Sequence, residues 1–106
     1  MNGKAVTSCI IPVMRAQGAV IETIEGLGEN GKLHPIQEEF INKGAIQCGF
    51  CTPGMIMSSK ALLDENNAPT SDEVREALGG NICRCTGYVK IEEAVMAAAD
   101  RMRKGE

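Results

Sequence analysis

Two closely spaced pairs of cysteines constrain this chain more than any other feature. Cys48 and Cys51 are separated by two residues, Cys83 and Cys85 by one, and 31 residues lie between the pairs. A spacing of one or two residues lets both sulfurs of a pair face one point from a single loop. Each pair also precedes a helical pattern, where free backbone N–H groups and the helix dipole favour thiolate over thiol. The pattern therefore predicts one metal centre held by four thiolates.

The size of the chain makes such a centre structurally useful. The chain has 106 residues, of which 43% are hydrophobic, and it contains no Trp, one Tyr and two Phe. We therefore expect a small domain whose core has few aromatic side chains. A domain of this size buries roughly two thirds of its unfolded surface and is marginally stable. Metal ligation adds folding free energy, because the site does not exist in the unfolded chain.

Charge and hydropathy argue against two classes of partner. The net charge is −3, and Arg101, Arg103 and Lys104 form the one basic cluster. That cluster is too small for binding nucleic acid through phosphate contacts. No apolar run reaches the ~18–20 residues of a membrane span, and no signal-peptide pattern opens the chain. Five cysteines without a secretion signal indicate a reducing compartment, so we expect a cytoplasmic protein.

Residues 1–27 are predicted to be β-rich. Residues 5–11 and 19–24 are short β-branched runs separated by Pro12 and Gly18. Two strands alone are marginally stable, so they need further strands or a surface to pack on. A glycine-rich connector begins at Gly26, where the composition changes from strand-like to helix-like. We therefore divide the chain into two units, residues 1–27 and residues 28–106.

The second unit is predicted to be helical. Helices are expected over residues 34–41, 55–65, 71–78 and 88–102. His34 precedes Pro35 at the start of the first helix, and Thr70 or Ser71 caps the third. Gly44 is expected to end the first helix and Gly79 the third. The cysteine pairs fall between the first and second helices and between the third and fourth.

An internal repeat relates the two halves of the helical unit. A shift of 34 residues aligns Cys51 and Thr52 with Cys85 and Thr86, together with apolar positions of the helices that follow. Each half therefore consists of a helix, a cysteine loop and a second helix. Two such halves facing each other place four helices around a pseudo-twofold axis, with two thiolates from each loop. We predict a mainly α fold with this symmetry.

The spacing of the cysteines leaves three chemistries open. Four thiolates suit an iron–sulfur cluster or a structural zinc ion, although Cys-x-Cys before a helix is less typical of zinc ribbons and fingers. A Rieske centre is excluded because it needs two histidines and the chain has only His34. The alternative to an iron–sulfur protein is a structural zinc-binding interaction module. The third possibility is a thiol redox switch in which Cys48 and Cys51 form a disulfide.

The residues around the cysteines resemble a known family. The segments QCGFCTPG (47–54) and GNICRCTGY (80–88) closely resemble the iron–sulfur small subunit of the molybdenum hydroxylases. This is the family of xanthine dehydrogenase, aldehyde oxidoreductase and carbon monoxide dehydrogenase. The resemblance extends through TIEGL (23–27) and HPIQ (34–37), and it covers essentially the whole chain.

The resemblance implies a role for each cysteine. Cys48, Cys51, Cys83 and Cys85 correspond to the ligands of a [2Fe–2S] cluster in a four-helix domain. Cys9 corresponds to the last ligand of a second cluster, held by a plant-type ferredoxin-like domain whose other three ligands are missing from this sequence. We therefore expect an N-terminally truncated chain, with residues 1–27 as the C-terminal remnant of that domain. Cys9 is then an orphan ligand or, on its own sequence context, an inert buried thiol in a strand.

The resemblance also implies a function. Such subunits pass electrons from a molybdopterin centre in a large subunit toward a second [2Fe–2S] cluster and FAD, the latter in a medium subunit. Gln47 and Cys85 correspond to positions that contact the pterin. No catalytic residue is predicted in this chain. We expect a non-catalytic electron-transfer component of an oxidoreductase complex, in which the substrate is bound by another chain.

Overall fold

Four α-helices build the protein, whose computed structural model describes residues 1–105. They are α1 (Pro35–Asn42), α2 (Thr52–Glu65), α3 (Ser71–Leu78) and α4 (Val89–Arg103). All four helices expected from the sequence are confirmed. The largest difference is at α2, which begins three residues earlier than expected, directly after Cys51.

Side chains fix the starts of the two short helices. The Nδ1 atom of His34 accepts the N–H of Ile36 at 3.2 Å, and Gln37 Oε1 accepts the N–H of His34 at 2.9 Å. Thr70 and Glu73 form the same reciprocal arrangement at the start of α3. Such capping boxes satisfy backbone donors that the helix leaves unpaired. The predicted roles of His34 and Thr70 as helix-start residues are confirmed.

Helices of one half pack mainly against helices of the other half. The most extensive helix contact joins α1 to α4, and the next joins α2 to α3. The core between them is apolar and closely filled, and its largest fully buried side chains are Phe40, Ile36, Met55, Ile91, Val74 and Val95. Met55 is therefore a core residue, as its helical spacing indicates. At the edge of the core, the buried carboxylate of Glu39 accepts a hydrogen bond from Arg101 at 3.2 Å.

The two strands predicted for residues 1–27 do not form. This segment contains three short 3-10 turns, Ser8–Ile10, Val13–Ala16 and Ile24–Gly26, and residues 1–105 contain one isolated β-bridge, between Glu29 and Lys32. A β-branched run forms a strand only when a paired strand satisfies its backbone N–H and C=O groups. Residues 1–27 instead form local turns that are closed by backbone hydrogen bonds.

The N-terminal segment lies against α2 and contributes little to the core. The 3-10 turn at Ile24–Gly26 contacts α2, and Lys60 of that helix pairs with Glu22 at 3.2 Å. A cavity of about 940 Å³ separates the remainder of this segment from α2 and the end of α3. None of the helices in residues 1–105 is long and apolar enough to cross a membrane.

Candidate metal centre

Two loops bring the four cysteines to one end of the helical unit. The first loop leads into α2, and the second connects α3 to α4. Left-handed backbone shapes both loops, at Gly49 (φ 86°) in the first and at Gly87 (φ 70°) and Tyr88 (φ 73°) in the second. Glycine adopts this conformation without cost, whereas Tyr88 is strained and needs support from its surroundings.

The sulfurs form two contacting pairs, each drawn from both loops. Cys48 Sγ and Cys85 Sγ lie 3.5 Å apart. The side chain of Cys51 interacts with that of Cys83, and this interaction contributes to the raised pKa of Cys51. All five cysteines are free thiols. Within residues 1–105, no group of three or more His, Cys, Asp or Glu side chains is arranged around one point as for a single metal ion.

The two pairs differ in their exposure to solvent. Cys83 is buried and Cys51 is partly buried, and both pack at the edge of the hydrophobic core. Cys48 and Cys85 are exposed. The site therefore has an inner pair and an outer pair, and the outer pair lies on the surface of the molecule.

The sulfur of Cys83 is the most strongly hydrogen-bonded of the four. The Thr86 hydroxyl lies 3.0 Å from it, and the Thr86 backbone N–H donates to it at 3.4 Å. These contacts, the hydroxyl first, lower the pKa of Cys83 to about 7. In the first loop, the backbone N–H of Phe50 is the main reason that the pKa of Cys48 is lowered.

The other two thiols shift in the opposite direction. Burial, followed by its hydrogen bond to Cys83, raises the pKa of Cys51 to about 11. The hydrogen bond with Cys48 is the main cause that raises the pKa of Cys85. The thiolate is therefore favoured at one cysteine of each loop and the neutral thiol at the other, because burial and sulfur–sulfur contacts outweigh the backbone N–H groups at Cys51 and Cys85. A sulfur that shares a proton with its neighbour cannot ionise as easily as that neighbour.

A polar contact fixes the second loop against α2. The side-chain N–H of Asn81 donates to Ser58 Oγ at 2.9 Å. The side-chain oxygen of Asn81 (Oδ1) lies so close to Gly54 that a Cβ atom added at residue 54 would be 2.6 Å from it. Gly54 is therefore needed so that the second loop can approach the start of α2, which follows the first cysteine pair.

The remaining predicted site residues lie apart from the sulfurs or at the surface. Gln47 is exposed beside Cys48. Cys9 is exposed in the first 3-10 turn and lines the cavity next to α2, which none of the four paired cysteines lines. The interpretation of Cys9 as a buried thiol in a strand is therefore wrong. The Thr86 and Tyr88 contacts were not anticipated, although a threonine three residues after a cysteine in a loop is a signal for such a hydrogen bond.

The donor set fits a two-iron cluster. Thiolates are the ligands of [2Fe–2S] clusters, in which the four cysteines are divided between two irons. The observed two-by-two grouping matches that division. Backbone and hydroxyl donors surround the sulfurs, as a negatively charged centre requires.

Comparison with known proteins places this site in a family. Residues 23–96 match the model of the [2Fe-2S] binding domain. The nicotinate dehydrogenase small FeS subunit of Eubacterium barkeri is 50% identical over 100 residues, which are 94% of this chain and 64% of that protein. The chain thus spans less than two thirds of the length of that relative. A zinc-binding module, the alternative considered from the spacing, is not supported.

Solved structures agree with this match. Quinoline 2-oxidoreductase from Pseudomonas putida 86 superimposes with a TM-score of 0.90 at 46% identity, over 99% of this chain and 66% of that one. Aldehyde oxidoreductase from Desulfovibrio gigas gives a TM-score of 0.93 at 44% identity, over 99% of this chain and 12% of that one. The chain therefore belongs to the [2Fe–2S] binding domain family, as represented in the iron–sulfur subunits of the molybdenum hydroxylases.

Proposed function

We propose that Cys48, Cys51, Cys83 and Cys85 hold one [2Fe–2S] cluster. The pairing of the sulfurs supports a division in which Cys48 and Cys85 bind one iron and Cys51 and Cys83 bind the other. A cluster held by these four residues would join the two loops and would fasten the α1–α2 half to the α3–α4 half. This contact between loops is the observation that carries the proposal.

The function that fits this site is electron transfer. When bound, the cluster accepts and releases one electron at a time. The chain contributes ligands, hydrogen bonds to sulfur and a dry inner side formed by the core, and it performs no catalysis on its own. We propose that electrons arrive from a molybdopterin-binding large subunit and leave toward a second [2Fe–2S] cluster and FAD in a medium subunit. The relatives named above as dehydrogenase and oxidoreductase support this assignment.

The surface around the outer cysteine pair supports a partner at this end of the molecule. Phe50 is 94% exposed and Ile82 is 84% exposed, and each neighbours the cysteine pair of its own loop. Exposed apolar residues that form a contiguous patch mark interaction surfaces. We propose that the large subunit covers them and that Gln47 and Cys85 contact its pterin.

Two further features of the fold are proposed with this function. Residues 1–27 are the end of a ferredoxin-like domain, and the absence of buried side chains before Leu27 supports a division between this segment and the helical core. The halves of residues 28–106 are related by a pseudo-twofold axis. The helix lengths of 8 and 14 residues in one half and 8 and 15 in the other, with α1 on α4 and α3 on α2, support the symmetry.

We propose that the protein is cytoplasmic. All five cysteines are free thiols, and a reducing compartment keeps thiols in this state. Cysteine-based metal ligands also need to stay reduced to bind iron.

Reversible one-electron reduction tests the proposed function. The full chain, purified without oxygen, is titrated with dithionite while its electron paramagnetic resonance spectrum is recorded. We expect about one unpaired spin per chain, which disappears on reoxidation. A colourless zinc-loaded chain without a signal would contradict the proposal. Uptake of about two electrons per chain with loss of a Cys48–Cys51 disulfide and no signal would indicate a thiol switch instead.

A further inference from the structure

A ring of hydrogen bonds surrounds the buried ligand Cys83. The backbone N–H of Cys83 donates to the Tyr88 hydroxyl at 3.0 Å. The backbone N–H of Tyr88 donates to the Thr86 hydroxyl oxygen at 3.3 Å, and that oxygen lies 3.0 Å from Cys83 Sγ. Each of the three residues thus fixes the position of the next. Tyr88 adopts the left-handed conformation (φ 73°) within this ring.

The direction of the last hydrogen bond follows from this ring. A cysteine that ligates iron is a thiolate and has no proton to donate. The Thr86 oxygen already accepts the N–H of Tyr88, so its own proton is free to point at sulfur. Together with the Thr86 backbone N–H, the sulfur of Cys83 then accepts two hydrogen bonds from one residue.

We propose that the Thr86 hydroxyl raises the reduction potential of the iron–sulfur centre by donating a hydrogen bond to Cys83. This inference rests on the proposed cluster ligands. Reduction adds one electron and no proton to the centre, so negative charge on the sulfur ligands increases. A hydrogen bond to sulfur is stronger in that more negative state, and it therefore favours reduction. Thr86 acts through Cys83 and is a positioning residue.

The internal repeat supplies a matched control. Thr52 follows Cys51 as Thr86 follows Cys85, 34 positions earlier. Thr52 is the first residue of α2. Within residues 1–105, the hydroxyl group that is hydrogen-bonded to sulfur is that of Thr86, and no such bond comes from the Thr52 hydroxyl. Thr52→Val therefore removes the hydroxyl group at the equivalent position of the α1–α2 half and leaves all four cysteines unchanged.

The test compares midpoint potentials of the full chain loaded with iron and sulfide. Wild type, Thr86→Val, Thr86→Ala, Thr86→Ser and Thr52→Val are titrated with dithionite in the presence of mediators. We expect Thr86→Val and Thr86→Ala to be about tenfold harder to reduce, a downward shift of about 59 mV for a one-electron couple. Thr86→Ser, which keeps the hydroxyl, and Thr52→Val should retain the wild-type potential.

Three results would overturn the proposal. The first is a loaded Thr86→Val or Thr86→Ala chain with the wild-type potential. The second is loss of iron from both of these variants while Thr86→Ser keeps it, since the hydroxyl would then hold the site together and not set its potential. The third is an equal shift in Thr52→Val. A wild-type chain without iron would overturn the proposed function as well, whereas the other results leave that function standing.

Discussion

The sulfur atoms of Cys48 and Cys85 lie 3.5 Å apart, although 37 positions separate the two residues in the sequence. This distance is far longer than the ~2.05 Å of a disulfide bond, so the contact joins two free thiols. It links the loop before α2 to the loop before α4, at the surface of the molecule. Beneath it, Cys51 and Cys83 form the corresponding inner contact. The structure thus presents two sites with two sulfurs each, and this grouping is the basis of the proposed cluster.

Removing an inner ligand should have a much larger effect than removing Cys9. We expect Cys51→Ser to lose the cluster and to loosen the bundle, because ligation joins its two halves and contributes folding free energy. Cys9→Ser should keep the cluster and the stability of the bundle, because Cys9 lies in an exposed turn away from the paired sulfurs. Bound iron and the thermal midpoint measure the two effects. Loss of the cluster in Cys9→Ser would show that the ligand set is wrong.

Gly54→Ala should destabilise the protein through the second cysteine loop. The added Cβ would lie 2.6 Å from the Asn81 side-chain oxygen, so Asn81 must move and give up its bond to Ser58. We expect a loss of about 1–2 kcal/mol in the free energy of unfolding, after the gain in helix propensity. Urea unfolding measures it.

Gly80→Ala is the control for that change. No atom lies within 4 Å of the Cβ that this substitution would add. Its unfolding midpoint should stay near that of the wild type. Equal losses in the two variants would contradict the proposed role of close packing at Gly54.

The start of α1 should depend on pH through His34. Its Nδ1 atom accepts the N–H of Ile36, which only the unprotonated nitrogen can do. Burial first, and then the charge of Lys60, lower the pKa of His34 from 6.5, while Asp64 and Glu22 act in the opposite direction. Because the folded state favours the neutral ring, this stabilisation is present above pH 6.5 and is lost as the pH falls through the lower folded pKa.

The measurement is the free energy of unfolding between about pH 7.5 and about pH 5. We expect the wild type to lose about 1 kcal/mol more than His34→Asn over this range, since asparagine caps a helix without titrating. Identical pH profiles of the two proteins would show that His34 does not act as a pH-dependent cap.

Two valines of α4 provide a direct test of the core. Val95 is fully buried and Val89 is 63% exposed, and both lie in the same helix. Val95→Ala should cost about 2 kcal/mol, because it removes two buried methyl groups and leaves a cavity. Val89→Ala should change the free energy of unfolding by less than about 0.5 kcal/mol. Chemical denaturation of both variants distinguishes them, and similar costs would contradict the assigned packing of α4.

Local signals explain why the helices could be predicted. His34 and Thr70 cap their helices through neighbours two or three residues away. The residues needed to predict where each helix begins therefore lie within one short stretch of sequence. The spacing of the four cysteines and the repeat likewise predicted that the two loops meet, and the structure brings Cys48 of one loop next to Cys85 of the other. The family resemblance, now confirmed, then specified the kind of metal centre.

Features that depend on distant contacts could not be predicted in the same way. The repeat placed both loops at one centre but did not show that Cys48 meets Cys85 and Cys51 meets Cys83. The β-branched runs before Leu27 have strand propensity, but a strand forms only with a partner, and this segment forms 3-10 turns. The bond between Thr86 and Cys83 lies in a loop with left-handed backbone at Gly87 and Tyr88, and residue types alone do not indicate the conformation of Tyr88.

The iron and acid-labile sulfide content of the purified full chain tests the central claim most directly. The proposed binding of one iron by each sulfur pair predicts about two irons and about two sulfides per chain when the protein is prepared without oxygen. About one equivalent of zinc without sulfide would contradict the account. A metal-free chain with the same free energy of unfolding as the iron-loaded chain would contradict it as well.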